Sequence, residues 1–175
     1  KSWGPDMDET PARASILLAD DEDGIRKVLG ITLADLGYNV HQARDGEEAL
    51  TVFRATKPAI VLTDIKMPVM DGIELLRAIK AESPDTEVIM ITGHGDLDLA
   101  VAALKLSASD FISKPINPDA LEISLARAWE KIEIRARMRQ YTENLEALVE
   151  RQAARLVEFE RRLAATQVAE GLTSA

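Results

Sequence analysis

Apolar residues recur along this chain in two alternating rhythms. Runs of strand length, Ile16–Ala19, Tyr38–Gln42, Ile60–Thr63, Val88–Thr92 and Asp110–Ser113, are separated by stretches in which apolar positions return at helical spacing, over 22–36, 46–56, 71–82 and 97–106. Another helical pattern begins at Asn117 or Pro118. Five β–α units follow. Runs of Val, Ile and Leu without polar alternation are strands covered on both faces, and their alternation with helices makes them parallel, joined by right-handed crossovers. The predicted class is α/β: a doubly wound five-stranded parallel sheet of order 2-1-3-4-5 with an extended C-terminal helix. Ligands of such sheets lie beyond the carboxyl ends of the strands. Those positions are polar here: Asp20 and Asp21 after the first run, Asp64 after the third, Thr92 at the end of the fourth and Lys114 after the fifth.

From Pro118 to Val168 there is no Gly or further Pro, and Ala, Leu, Glu and Arg dominate, which predicts one long helix. Leu121, Leu125, Ala128 and Ile132 should pack on the sheet. From Leu145 the spacing changes: Leu145, Val149, Gln152, Leu156, Phe159 and Leu163 step by four and three, the seam of a coiled coil. With Leu145 at d, Arg155 at g faces Glu160 at e of a parallel partner, which favours a parallel homodimer. The competing reading is a single solvated helix held by pairs such as Glu158 with Arg162. The expected division is a flexible lead-in or non-native remnant over 1–14, an α/β domain over 15–134, a coiled-coil dimerisation and signalling helix over 135–168 and a disordered tail over 169–175.

Composition narrows the function. Of 175 residues, 21 are Lys or Arg and 30 Asp or Glu, a net charge of −9. Before residue 117 the balance is −8 and after it −1, so the acidity belongs to the α/β part. That argues against direct binding of nucleic acid, which requires basic stripes. No Cys is present, which excludes thiolate metal sites and thiol catalysis. No segment has the length of a membrane span or the form of an export signal, and the expectation is a soluble, cytoplasmic protein without membrane contact.

Asp20, Asp21 and Asp64 stand at the ends of strands that the order makes neighbours, so three carboxylates crowd together and require protonation or a hard divalent cation. An all-oxygen ligand set suits Mg²⁺. Asp64, ending the central strand, could attack phosphorus and form an acyl phosphate, with the Thr92 hydroxyl and the Lys114 ammonium neutralising the phosphoryl oxygens. Singly, each residue has an ordinary explanation: an aspartate after a strand caps a helix, Thr92 before Gly93 makes a turn, Lys114 before Pro115 is a loop lysine. Compatible groups at four of five strand ends carry the functional reading.

The segments ILLADDEDGIR (Ile16–Arg26), VLTDIKMPVMDG (Val61–Gly72), MITGHGD (Met90–Asp96) and SDFISKPIN (Ser109–Asn117) make the chain resemble the receiver domain of bacterial two-component response regulators, a flavodoxin-like fold. The resemblance implies that Asp64 accepts a phosphoryl group from a histidine kinase or phosphotransfer protein. It further implies that Asp20, Asp21, Asp64 and the backbone carbonyl of Lys66 serve Mg²⁺, Asp20 through water, and that Lys114 binds the phosphoryl group before a cis Pro115. Thr92 and Phe111 would be the switch pair. Lys66 and His94 border the site at positions that tune dephosphorylation. Ser107 departs from the family's usual Gly at the end of the fourth helix, where a left-handed residue strains any side chain. Such a domain is a regulatory phosphoacceptor that catalyses only its own phosphorylation and dephosphorylation. Two other functions compete for the same residues: a Mg²⁺-dependent phosphohydrolase with Asp64 as nucleophile, and a dimeric adaptor whose phosphosite is idle.

Overall fold

The structure, a computed structural model, describes residues 14–174. The expected lead-in over 1–14 lies, apart from Ala14, outside the described residues. The elements alternate as β1 (Ser15–Ala19), α1 (Asp23–Asp35), β2 (Asn39–Ala43), α2 (Gly46–Thr56), β3 (Ile60–Asp64), α3 (Gly72–Glu82), β4 (Glu87–Thr92), α4 (Leu97–Lys105), β5 (Asp110–Ser113) and α5 (Pro118–Thr173). All strand pairs are parallel, in the order β2-β1-β3-β4-β5.

The two-residue period of a strand sorts the core into two layers. Leu17, Ala19, Val61, Val88 and Met90 face one layer with Leu50, Phe53, Leu75, Leu76 and Ile79 of α2 and α3. Ile16, Leu18, Ile60, Leu62, Ile89 and Ile91 face the other, with Leu29 and Leu33 of α1 and Leu121, Leu125 and Ala128 of α5. Every residue of β3 and β4 is buried, which accounts for their lack of polar alternation. β2 at the edge alternates weakly and begins one residue later than its apolar run. Tyr38 is diverted there: its amide donates to Leu33 O at 3.2 Å, and its ring stacks on Trp129 of α5, centroids 6.2 Å apart.

The chain divides after Ile132 into two compact units, two residues before the expected boundary. The second unit is the remainder of α5. It presents Ile134, Met138, Tyr141, Leu145, Val149, Leu156, Phe159 and Leu163 to solvent. The helix also runs through Thr173, where a disordered tail was expected from residue 169. Ala169, Glu170 and Leu172 are good helix formers, a single Gly171 costs only about 1 kcal/mol, and the Thr173 and Ser174 hydroxyls donate to Glu170 O, both at 2.9 Å.

Candidate functional site

The carboxyl ends of β1, β3, β4 and β5 converge on one acidic pocket. Asp20 follows β1 and is fully buried; its Oδ1 accepts the Glu22 amide at 2.9 Å, and its carbonyl accepts from Arg26 Nη1 at 2.7 Å. Asp20 thus shapes the turn into α1 without capping the helix. Asp21 beside it is exposed. Asp64 ends β3 and is 5% exposed. One carboxylate oxygen from each of Asp20, Asp21 and Asp64 lies within 4.8 Å of the others.

Lys114 closes the pocket from the end of β5. Its Nζ donates to Asp64 Oδ2 at 2.8 Å and lies 3.4 Å from Asp20 Oδ2 and from Glu22 Oε1. A cis Lys114–Pro115 bond follows, and the Lys114 amide donates to Thr92 O at 2.7 Å. Burial pushes the Lys114 ammonium down, but the hydrogen bond to Asp64 and the charges of Asp64 and Asp20 outweigh it, and the group is held well above the usual lysine range. Asp20 is raised, first by burial and then by the charge of Asp64, against the lowering bond from the Glu22 amide. A single ammonium therefore serves several carboxylates, one of them fully buried.

A divalent cation suits this arrangement. Asp20 Oδ2 is buried without a hydrogen-bond donor, the donor set is all oxygen, and the three carboxylates converge at chelating distance.

The remaining expected residues lie around this centre. Thr92 is buried at the end of β4, its hydroxyl donating to Ile112 O at 3.4 Å. Phe111 on β5 is half-buried against the layer of α2 and α3. Lys66, in the loop leaving β3, pairs its ammonium with Asp96 Oδ1, 2.9 Å away, at the start of α4. Asp96 is the residue the sequence reading missed as a participant. Only its buried environment, 3% exposed, marks it out, and nothing in a polar loop announces that. Glu22 was missed for the opposite reason: a helix-start acid has an ordinary explanation.

Residues 16–126 match the response regulator receiver domain family. The chain belongs to that family. Among curated relatives, this receiver is 42% identical over 127 residues to the nitrogen assimilation regulatory protein NtrX of Azorhizobium caulinodans, covering 71% of this chain and 28% of that protein. It is 43% identical over 120 residues to the C4-dicarboxylate transport transcriptional regulatory protein DctD of Rhizobium meliloti, covering 69% and 26%. The chain thus spans about a quarter of the length of these relatives. Among solved structures, the receiver domain of NtrX from Brucella abortus superposes with a TM-score of 0.63 at 38% identity, covering 66% of this chain and 98% of that one. A receiver domain protein from Clostridium thermocellum gives 0.66 at 35%, covering 71% and 98%. Among the described residues no helix is long and apolar enough to cross a membrane.

Proposed function

We propose that Asp64 of this receiver accepts a phosphoryl group from the phosphohistidine of a partner kinase or phosphotransfer protein. A carboxylate oxygen of Asp64 forms the new P–O bond as the P–N bond of the donor breaks, and the histidine nitrogen leaves with the electron pair. The observation that carries this reading is the Lys114 ammonium 2.8 Å from Asp64 Oδ2 at the rim of the three-carboxylate cluster. Asp21, Asp64 and the Lys66 carbonyl would hold Mg²⁺, with Asp20 acting through water. When bound, the ion supplies positive charge to a phosphoryl oxygen in flight. Lys114 meets a second oxygen. The Thr92 hydroxyl leaves Ile112 O for the phosphoryl group, and the Phe111 ring turns into the space released. The hydrolase reading gains nothing from the relatives, which are regulators by name.

The exposed helix beyond Ile132 pairs in parallel with a second copy and carries the switch outward. Phosphorylation acts by shifting the population of two pre-existing states. The segment described works in the cytoplasm and does not itself touch nucleic acid or membrane. Incubation with a small acyl phosphate and Mg²⁺ should add one phosphoryl group to the intact mass, lost on chelation and in Asp64→Asn. A mass gain that survives in Asp64→Asn places the acceptor elsewhere, and rapid turnover of unrelated phosphoesters restores the hydrolase.

A further inference from the structure

We infer that Lys66 and Asp96 form a latch between the loop leaving β3 and the start of α4, and that a phosphoryl group on Asp64 opens it by drawing off the Lys66 ammonium. This rests on the reading of Asp64 given above. Asp96 stands at the N-cap of α4, where an aspartate ordinarily accepts an amide of the first helical turn. It makes no such bond. The carboxylate is turned backwards: Oδ2 accepts from the Gly93 amide at 2.8 Å, immediately after Thr92, and Oδ1 faces the Lys66 ammonium at 2.9 Å. Among the described residues no other donor meets Oδ1. The Asp96 side chain is 4% exposed and that of Lys66 is 70% exposed. The buried partner depends on the contact, whereas the exposed one is free to leave.

In the resting arrangement Asp96 therefore ties the Thr92 end of β4 to the start of α4, and the first turn of α4 goes without a side-chain cap. A phosphoryl group turns the Asp64 carboxylate, a monoanion, into an acyl phosphate of about two negative charges, a net gain of about one, at the residue two positions before Lys66. A dianion outcompetes a single carboxylate for one exposed ammonium. Asp96, buried and stripped of its cation, regains a partner by rotating onto the amide of Asp98 or Leu99, the cap that the helix lacks. Asp96 is thus a positioning residue. It acts on Thr92 through Gly93, and it tightens the α4 turn that carries Leu97, 65% exposed, when the pocket is loaded.

The test is amide hydrogen exchange followed by NMR on the whole chain with Mg²⁺, with and without beryllium fluoride as the phosphoryl mimic. On loading, Gly93 should lose protection while Asp98 or Leu99 gains about fivefold, the worth of one N-cap. Lys66→Gln should show the same pair of changes before loading, and Lys66→Arg should restore the resting pattern. A merely structural lysine would weaken the loop without protecting α4. If the mimic shifts the resonances around Asp64 but Gly93 and α4 keep their exchange rates, the latch is overturned and the phosphoacceptor reading stands. If those resonances do not respond at all, that reading falls and the latch falls with it.

Discussion

Among the described residues three side chains are held in the left-handed region that favours glycine, Lys57 at φ 45°, Val69 at φ 68° and Ser107 at φ 75°, and the last two carry tests. Ser107 closes α4 with its amide on Leu104 O at 3.1 Å and the Ala108 amide on Ala103 O at 3.0 Å, a helix ending that usually employs Gly. Val69 sits between Pro68 O and the Met70 amide, 2.8 Å apart, a three-residue turn that is strained for a branched side chain. Each conformation costs roughly 1–2 kcal/mol. Ser107→Gly and Val69→Gly should each raise the unfolding free energy by about 1 kcal/mol in denaturant titrations, and Ser107→Gly should also slow exchange over residues 97–110. Ser107 stood out in the sequence because a helix end was foreseeable there; Val69 did not, because loop dihedrals leave no mark on composition. Tyr38 offers a third test. Its hydroxyl accepts from Trp129 Nε1 at 2.8 Å, and burial raises its ionisation above the usual tyrosine range. A phenol whose ionisation is raised by folding contributes stability that is complete below its unfolded pKa and lost as pH rises past it. Tyr38→Phe should cost about 1 kcal/mol near neutrality and flatten the alkaline loss above pH of about 10, read by thermal unfolding across pH.

Among the elements, α3 shows how a helix start fixes the acceptor. Asp71 and Glu74 form a reciprocal capping box, Asp71 Oδ1 accepting the Glu74 amide at 2.8 Å and Glu74 Oε2 the Asp71 amide at 3.2 Å. Gly72 follows, its amide on Ile65 O at 2.8 Å. A Cβ at Gly72 would lie 2.1 Å from the Asp64 carbonyl oxygen and 2.9 Å from Ile65 Cα, so this glycine is required by close approach and not by dihedral angle. Gly72→Ala should destabilise the domain by about 1–3 kcal/mol and also slow phosphorylation by a small acyl phosphate, since relief of the clash must move the Asp64 backbone. Intact-mass time courses at a temperature where the variant is folded separate the two effects. The elements themselves were legible from periodicity because their apolar runs are uninterrupted. The exception was β2, displaced by one residue because the aromatic ring of Tyr38 finds Trp129, a pairing between positions 91 apart in sequence.

For the whole molecule, the parallel sheet followed from the alternation of runs, and the convergence of Asp20, Asp21, Asp64 and Lys114 from the residues that end them once the strands take the flavodoxin-like order, which alternation alone does not fix. Contacts between loops did not follow, since Lys66 and Asp96 meet only when two crossovers are folded. The helix beyond Ile132 is where the sequence misjudged an end: a glycine near a terminus reads as a stop, yet the backbone continues to Thr173. If two copies pair along its exposed stripe, replacing Leu156 or Leu163 by Glu should convert the dimer to a monomer by light scattering without altering phosphorylation of Asp64. An unchanged mass would remove the pairing.

The stripe has a property of its own. From Ile134 the exposed stripe steps to Met138, Tyr141, Leu145, Val149, the polar Gln152 and Leu156, with two successive steps of four on either side of Leu145. Between Met138 and Val149 the repeat is therefore eleven residues, which relaxes the left-handed winding that a seven-residue repeat imposes. If two copies pair along this stripe, the supercoil should unwind locally between Met138 and Val149 and resume past Val149. In such a pair, a rotation of one helix against the other would be absorbed at that change of pitch.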